Sequence, residues 1–233
     1  MLRGGFAPDM TMPDAKRISP VTHRLTPFRA DDEDEPEAPE TEEKKPATAA
    51  PSNELESRLF KGRKVMVFGE INDKIARDVV ARILTLAEES TKPIDIFVSS
   101  PGGHVESGDT IHDIIKFVRE SVPIRLIGTG WVASAGAHIY LAGEKSRRYC
   151  LPNTRFLLHQ PSGGVRGRAT DIDIEAREII KMRERLSRVI SDETGQPIEK
   201  VRKDCERNYW MSAEEAITYG LVNRVIKTVV ELE

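Results

Sequence analysis

Short apolar runs alternate with longer amphipathic segments from residue 54 to the end of the chain. Runs such as KVMVFG (64–69) and IDIFVS (94–99) have the length and apolar content of buried strands, whereas residues 71–89 carry apolar side chains at the spacing of one helical face. Strands that alternate with helices in this way are typical of a sheet covered by crossover helices. The sequence therefore predicts an α/β fold for residues 54–233, without an internal repeat.

The same patterns predict the remaining elements. Strands are expected at 123–130, 147–152, 154–161 and 221–226, and helices at 107–120, from about Ser134, at 198–208 and at 213–220. Asn72 or Asp73 is the expected N-cap of the helix in 71–89. Ser212 and Glu215 have the spacing of a capping box, which predicts the start of the last helix.

A long helix is predicted from Ala169 to about Glu193. Its apolar residues form a single stripe, consisting of Ile172, Ala176, Ile179, Leu186 and Ile190. Such a helix either projects from the domain and packs on a partner subunit, or lies on its own sheet. The sequence leaves both arrangements open.

Residues 1–53 differ in composition from the rest of the chain. They hold 8 of the 14 prolines and only two aromatic residues, so they bury too little apolar surface to offset the entropy cost of ordering. Residues 31–45 carry nine acidic and two basic side chains. We expect residues 1–53 to be a disordered tail, serving as a solvated spacer, a docking tail or a propeptide that is removed.

The charge balance limits the classes of partner. The formal net charge is −3 and the pI is near 6.0, so the chain lacks the overall positive charge of a nucleic-acid-binding protein. No apolar stretch is long enough to span a membrane and residues 1–10 lack the apolar core of a signal peptide, so we expect a cytoplasmic protein. Cys150 and Cys205 are too few for a disulfide framework and lack the spacing of a zinc site. We expect two reduced thiols and no metal.

Three glycine-bearing turns stand where predicted strands end, which is where open α/β sheets bind ligands. They are SPGG (100–103), GTGWVASAG (128–136) and HQPSGG (159–164). Ser134 lies in the second turn among small residues, and the backbone N–H groups at a helix start can stabilise an anion. Ser134 is therefore either a nucleophile or only an N-cap. The GxSxG motif of α/β-hydrolases is absent because Val132 occupies the first glycine position.

Three histidines are candidate general bases for Ser134. His104 follows the first glycine turn, His138 lies one helical turn after Ser134, and His159 ends a predicted strand. His112 is expected on a helix surface. A base must come within about 3 Å of the serine hydroxyl, and the spacing in sequence does not choose among the three.

Several segments together resemble the proteolytic subunit of the caseinolytic Clp protease, the ClpP family. The resemblance covers roughly residues 56–228 and rests on VSSPGG, ASAGA, HQPSGG followed by ATDIDIEAREI, TGQPIEKVRKDCERN and MSAEEAITYGLVNRVI. It implies a ClpP/crotonase-like core of stacked βα repeats with a protruding handle helix in 169–193. Crotonases, which handle acyl-CoA, share that core but not HQPSGG followed by ATDIDIEAREI.

The resemblance also implies a function for the matching residues. Ser134 would be the nucleophile of a serine endopeptidase, His159 its general base, and the backbone N–H groups of Gly103 and Ala135 the oxyanion hole. No metal or organic cofactor is implied. The subunits would assemble into two stacked seven-membered rings, a tetradecamer, and an AAA+ unfoldase ATPase would feed unfolded proteins and peptides into the chamber.

Three features depart from the family pattern. The third triad position, normally the Asp of an ERD sequence, is Asn208, and Asp204 one turn earlier is a possible substitute. The stretch between SPGG and Ser134 is two residues longer, which a β-bulge could absorb, and it includes Trp131, expected either in the core or in the specificity pocket. Residues 1–53 lack the usual apolar N-terminal segment. The alternative function is a catalytically weak or inactive structural or regulatory ClpP paralogue in a mixed ring.

Overall fold

The computed structural model describes residues 53–164 and 166–232. The helices are α1 (Asn53–Lys61), α2 (Asp73–Glu89), α3 (Val105–Arg119), α4 (Ala135–Leu141), α5 (Ala169–Thr194), α6 (Ile198–Asp204) and α7 (Ala213–Tyr219). The strands are β1 (Lys64–Phe68), β2 (Ile94–Ser100), β3 (Ile124–Ala133), β4 (Arg148–Cys150), β5 (Arg155–Leu158), β6 (Tyr209–Met211) and β7 (Arg224–Val225). Short 3-10 helices cover Lys145–Arg147 and Val229–Leu232.

The described strands form one sheet in the order β1-β2-β3-β4-β7, and its neighbouring strands run parallel. Beyond the end of β4, β3 pairs in parallel with β5, and β6 runs antiparallel to β5. Helices α2, α3 and α4 pack against one another and against β1, β2 and β3. This confirms the predicted α/β class, with the carboxyl ends of β2, β3 and β5 close together.

The helix starts follow the capping signals in the sequence. Asn72 is the N-cap of α2, and its side chain accepts a hydrogen bond of 3.0 Å from the backbone N–H of Ile75. The capping box of Ser212 and Glu215 is present at the start of α7. Both predictions are confirmed, and each cap satisfies backbone N–H groups that a helix start otherwise leaves unpaired.

Helix α5 lies on the rest of the domain only through its C-terminal part. Residues 169–178 are all exposed, whereas Ser187, Ile190 and Thr194 are buried. The helix contacts α4 and α6. Its N-terminal half therefore projects from the domain, whereas the packing of this half on a partner subunit stays a prediction.

Several element boundaries differ from the predictions. Strand β3 extends to Ala133 rather than ending at Gly130, and α6 ends at Asp204 because residues 205–207 turn the chain into β6, a three-residue strand that the sequence did not predict. Helix α1 was also not predicted and begins at Asn53, one residue before the expected domain boundary. The expectation for the tail up to residue 52 lies outside the described residues. Within those residues, no helix is both long and apolar enough to cross a membrane.

Candidate active site

Ser134 lies in a strained turn between β3 and α4. Its φ of 54° and ψ of −121° are unusual for a residue other than glycine, and such strain costs about 1–3 kcal/mol and is concentrated at functional sites. Ser134 stands at the N-cap position of α4, but its side chain makes no capping hydrogen bond, unlike those of Asn72 and Ser212. The interpretation of Ser134 as only an N-cap is therefore wrong, because the hydroxyl does not serve the helix.

The backbone of Ser134 is held from two sides. Its N–H donates to Leu157 O at 3.0 Å, and its carbonyl accepts the N–H of His138 at 3.1 Å. The first hydrogen bond joins Ser134 to Leu157 of β5, which lies two residues before His159. The second hydrogen bond belongs to the first turn of α4. Any shift of β5 or of α4 would therefore move the serine.

His159 and Asn208 adjoin the paired residues of β5 and β6. This antiparallel pair ends with Leu158 opposite Tyr209, so His159 and Asn208 are the next residues along the two chains. The loop beyond them is tied by Gln160, whose N–H donates to Cys205 O at 2.7 Å and whose Nε2 donates to Glu206 O at 2.9 Å. His159 and Asn208 border the same cleft.

The side chains of the three candidate catalytic residues are close but not linked. Among the described residues, no hydrogen bond joins Ser134 Oγ to the His159 ring or that ring to Asn208. Catalytic hydrogen bonds are often loose without substrate and tighten in the complex. Burial lowers the pKa of His159, so its imidazole is neutral at pH 7 and is able to accept a proton.

A mainly apolar cleft lies beside Ser134 and His159. Helix α5 contributes to one wall and α4 to another. The other lining residues are Val105, Ala135, His138, Leu158, Pro161, Leu186 and Ile190. An apolar side chain of a bound peptide fits such a lining.

The SPGG turn lies directly against Ser134. A Cβ on Gly102, whose φ is +106°, would come within 2.5 Å of Ser134 Cβ, so only glycine fits. Ile71 holds the turn, because its N–H donates to Gly102 O at 2.8 Å and its carbonyl accepts the N–H of His104 at 2.9 Å. Within the described residues, neither the N–H of Gly103 nor that of Ala135 donates to another group. Both N–H groups are therefore available to bind an anion.

The structure separates the other candidate residues from Ser134. His104 bonds through Nδ1 with Ser107 Oγ at 2.8 Å, and it does not line the cleft beside Ser134. His138 does line that cleft, but its Nε2 lies 2.9 Å from Asp109 Oδ1. The expectation that His112 is on a surface is wrong: only 5% of it is exposed, because its ring stacks on that of His138.

Asp204 does not take the place of Asn208 in this structure. Its Oδ2 accepts hydrogen bonds from Lys200 Nζ at 2.6 Å and from the Tyr219 hydroxyl at 3.0 Å. It ends α6, and the chain turns before it reaches Asn208. Asp204 would have to give up both partners to reach His159.

Strand β3 has a bulge relative to β2 in the stretch before Ser134, where the sequence suggested one. Val98 pairs with Gly128 and Ser100 pairs with Val132, so an advance of two residues along β2 corresponds to an advance of four residues along β3. The expectation that Trp131 is in the core is wrong, since it is 46% exposed. It does not line the cleft beside Ser134 either, and it stands next to Arg155 across β3 and β5.

Comparison with known proteins gives a consistent result. Residues 48–229 match the family model described as Clp protease. The chain is 68% identical over 211 residues to the ATP-dependent Clp protease proteolytic subunit 2 of Gluconobacter oxydans, covering 90% of this chain and 95% of that protein. It is 58% identical over 173 residues to the ATP-dependent Clp protease proteolytic subunit 3 of Rhizobium etli, covering 74% of this chain and 88% of that protein. The solved structure of ClpP1 from Listeria monocytogenes aligns with a TM-score of 0.69 and 49% identity, covering 77% of this chain and 99% of that one.

Proposed function

The chain belongs to the Clp protease family and is a serine-type proteolytic subunit of an ATP-dependent Clp protease, and we propose that Ser134, His159 and Asn208 are its catalytic residues. The observation that supports this proposal is the pairing of β5 with β6, which leads His159 and Asn208 to one cleft, while β5 also binds the backbone of Ser134. The acyl-CoA alternative finds no support in the comparisons.

The residues act together as follows in peptide hydrolysis. Ser134 Oγ attacks the peptide carbonyl carbon while His159 accepts the hydroxyl proton, and the resulting oxyanion is bound by the N–H groups of Gly103 and Ala135. His159 then donates the proton to the leaving amine, and the C–N bond breaks to leave an acyl-Ser134. A water molecule, deprotonated by His159, hydrolyses this ester and frees Ser134. The sequence of steps needs no cofactor.

Asn208 is the weak point of this arrangement. An aspartate at this position stabilises the imidazolium that forms in the transition state, whereas a neutral amide only orients the ring. In serine-protease triads the change from Asp to Asn lowers kcat about 10⁴-fold. We therefore propose a slow peptidase. The second candidate function is that of a structural or regulatory subunit within a mixed ring. It is favoured by the neutral amide and by the lack of a hydrogen bond between His159 and Asn208 among the described residues.

Subunits of this family assemble as rings and work with Clp ATPases. For this chain we propose two stacked heptameric rings joined through the projecting half of α5, with an AAA+ unfoldase supplying unfolded protein and with a ClpP paralogue as a possible ring partner. We also propose a cytoplasmic location, and residues 1–53 as a disordered acidic spacer or a removed propeptide. The exposed Ile172, Ile174 and Ile180 on α5 support the ring contact.

Covalent labelling of the serine tests the proposal directly. The assembled chain is incubated with a fluorophosphonate and its intact mass is compared with that of the Ser134→Ala variant. An adduct that is absent in Ser134→Ala supports an activated nucleophile. An assembled ring that forms no adduct contradicts the peptidase proposal and favours the structural subunit.

A further inference from the structure

A partly buried polar cluster joins the helix that follows Ser134 to α5. His138, on α4, is only 7% exposed, and its Nε2 lies 2.9 Å from Asp109 Oδ1 on α3. The same carboxylate accepts hydrogen bonds of 2.7 and 2.6 Å from Nη1 and Nη2 of Arg185 on α5. Although burial raises the pKa of Asp109, that pKa lies well below its ordinary value because His138 and Arg185 flank the carboxylate. Three helices thus meet at one carboxylate.

The second face of this cluster is a stack of two imidazoles. The rings of His112 and His138 are 4.2 Å apart between centroids and within 8° of parallel. Two positive charges at that distance repel each other strongly. Burial and then the charge of His138 lower the pKa of His112 to about 4, so His112 is the neutral member of the pair at pH 7. His138, which stacks on this neutral imidazole, faces Asp109 on its other side.

The cluster lies directly behind the candidate active site. The backbone N–H of His138 donates to Ser134 O, and His138 lines the cleft beside Ser134 together with Leu186 and Ile190 of α5. Arg185 immediately precedes Leu186. The bridge from His138 through Asp109 to Arg185 therefore connects the two walls of this cleft.

Packing alone does not explain a histidine in this position. Within the described residues, neither ring nitrogen of His138 meets the criteria for a hydrogen bond, although Nε2 lies 2.9 Å from Asp109 Oδ1. Burying a polar ring without well-formed hydrogen bonds costs free energy. An apolar side chain would fill the same space at lower cost, so the polar contact with Asp109 is the property that distinguishes histidine.

Resting on the proposed function, we propose that His138 is a positioning residue, whose bridge to Asp109 and Arg185 holds the α5 wall of the cleft against α4 and so sets the affinity for the substrate side chain next to the scissile bond. The bridge acts on binding rather than on the nucleophile.

Binding is measured in the Ser134→Ala background, so that the test does not depend on catalysis. The probe is a fluorescein-labelled peptide with leucine at the position that would precede the scissile bond, and its Kd is obtained by anisotropy on the assembled full chain. We expect His138→Phe and Asp109→Asn each to weaken binding at least about fivefold at pH 7. The double variant His138→Phe with Asp109→Asn should bind no more than about twofold more weakly than either single variant, because both substitutions break the same bridge.

Lys116→Gln is the matched control. Lys116 Nζ lies 3.1 Å from Glu193 Oε1, so this pair also joins α3 to α5 but does not involve His138. We expect its Kd to stay within about twofold of the starting value, and Arg185→Lys, which keeps the charge, to lie between the control and Asp109→Asn. Circular dichroism and size-exclusion chromatography identify a variant that fails to fold, in which case Arg185→Lys carries the comparison.

Two results would overturn the inference. One is a Kd in His138→Phe that matches that of the starting protein, and the other is an equal loss of affinity in Lys116→Gln. A peptide that does not bind to the starting protein also counts against it. Failure of the proposed function is distinguishable, because it is seen as absent fluorophosphonate labelling of Ser134 whatever the Kd values are.

Discussion

Leu158 pairs with Tyr209 at the end of the antiparallel pair of β5 and β6, and the next residues of the two segments, His159 and Asn208, border one cleft. His159 and Asn208 are 49 positions apart in sequence, yet three consecutive residue pairs between the strands bring their segments together. We propose that Asn208 orients the His159 ring. A neutral amide can orient the imidazole ring, but it does not stabilise the positive charge of an imidazolium as a carboxylate does.

Asn208→Asp should raise peptidase activity. A carboxylate beside His159 stabilises the imidazolium of the transition state, so we expect kcat to increase by at least about 10²-fold. The reverse change, from Asp to Asn, lowers kcat about 10⁴-fold in a serine-protease triad. The kcat is measured by steady-state hydrolysis of a fluorogenic peptide by the assembled chain. Asn153→Asp, which adds the same charge in an exposed turn away from the cleft, should change nothing. Equal rates for Asn208→Asp and the starting protein would contradict the role of Asn208.

Gly102→Ala should abolish labelling of Ser134. The added Cβ would come within 2.5 Å of Ser134 Cβ at a φ of +106°, so either the turn or the serine must move. We expect the fluorophosphonate reaction to slow at least about 100-fold, since loss of one oxyanion donor alone costs that much. Gly164→Ala, where a Cβ meets no atom within 4 Å, is the control and should react normally. A normally labelled Gly102→Ala chain would show that the turn is not part of the site.

Stability should fall as the pH decreases from about 6.5 to about 4 because of His112. Its pKa is about 4 in the folded chain and about 6.5 when unfolded, so the unfolded state binds more protons in this range and low pH favours unfolding. Urea midpoints at pH 7 and pH 4.5 measure the change. In His112→Phe the loss over this range should be smaller than in the starting protein. A loss that is the same with and without His112 would argue against burial of a neutral imidazole.

Ile174→Glu should separate the stacked rings. Ile174 is 53% exposed on the projecting half of α5, and a charge there would be buried at considerable cost if two rings met through this helix. Mass photometry should then show particles of half the mass, with circular dichroism unchanged. Val229→Glu, at a residue that is 69% exposed on the C-terminal 3-10 helix, is the comparison and should keep the full mass. A full-sized particle in Ile174→Glu would place the ring contact elsewhere.

Local features of the sequence predicted much of the fold. The capping residues Asn72 and Ser212 act within one helical turn of themselves, and apolar periodicity marked α2, α3 and α5 because a helix repeats its face every few residues. Strand β6 was missed because three residues, Tyr209–Met211, are too few to show a period. The burial of His112 and the exposure of Trp131 were also missed, since each depends on the element packed against it rather than on its neighbours in sequence.

The sequence by itself determined the α/β class, the glycine turns and the identity of the candidate residues, including the departure at Asn208. Only the tertiary structure decided which histidine stands with Asn208, because that choice rests on the pairing of β5 with β6, whose residues are about 50 positions apart. It also showed that the Ser134 hydroxyl does not cap α4 and that His138 contacts Asp109, which in turn accepts hydrogen bonds from Arg185. Spacing along a chain constrains contacts within a turn or two, whereas contacts between distant segments depend on strand register and helix packing.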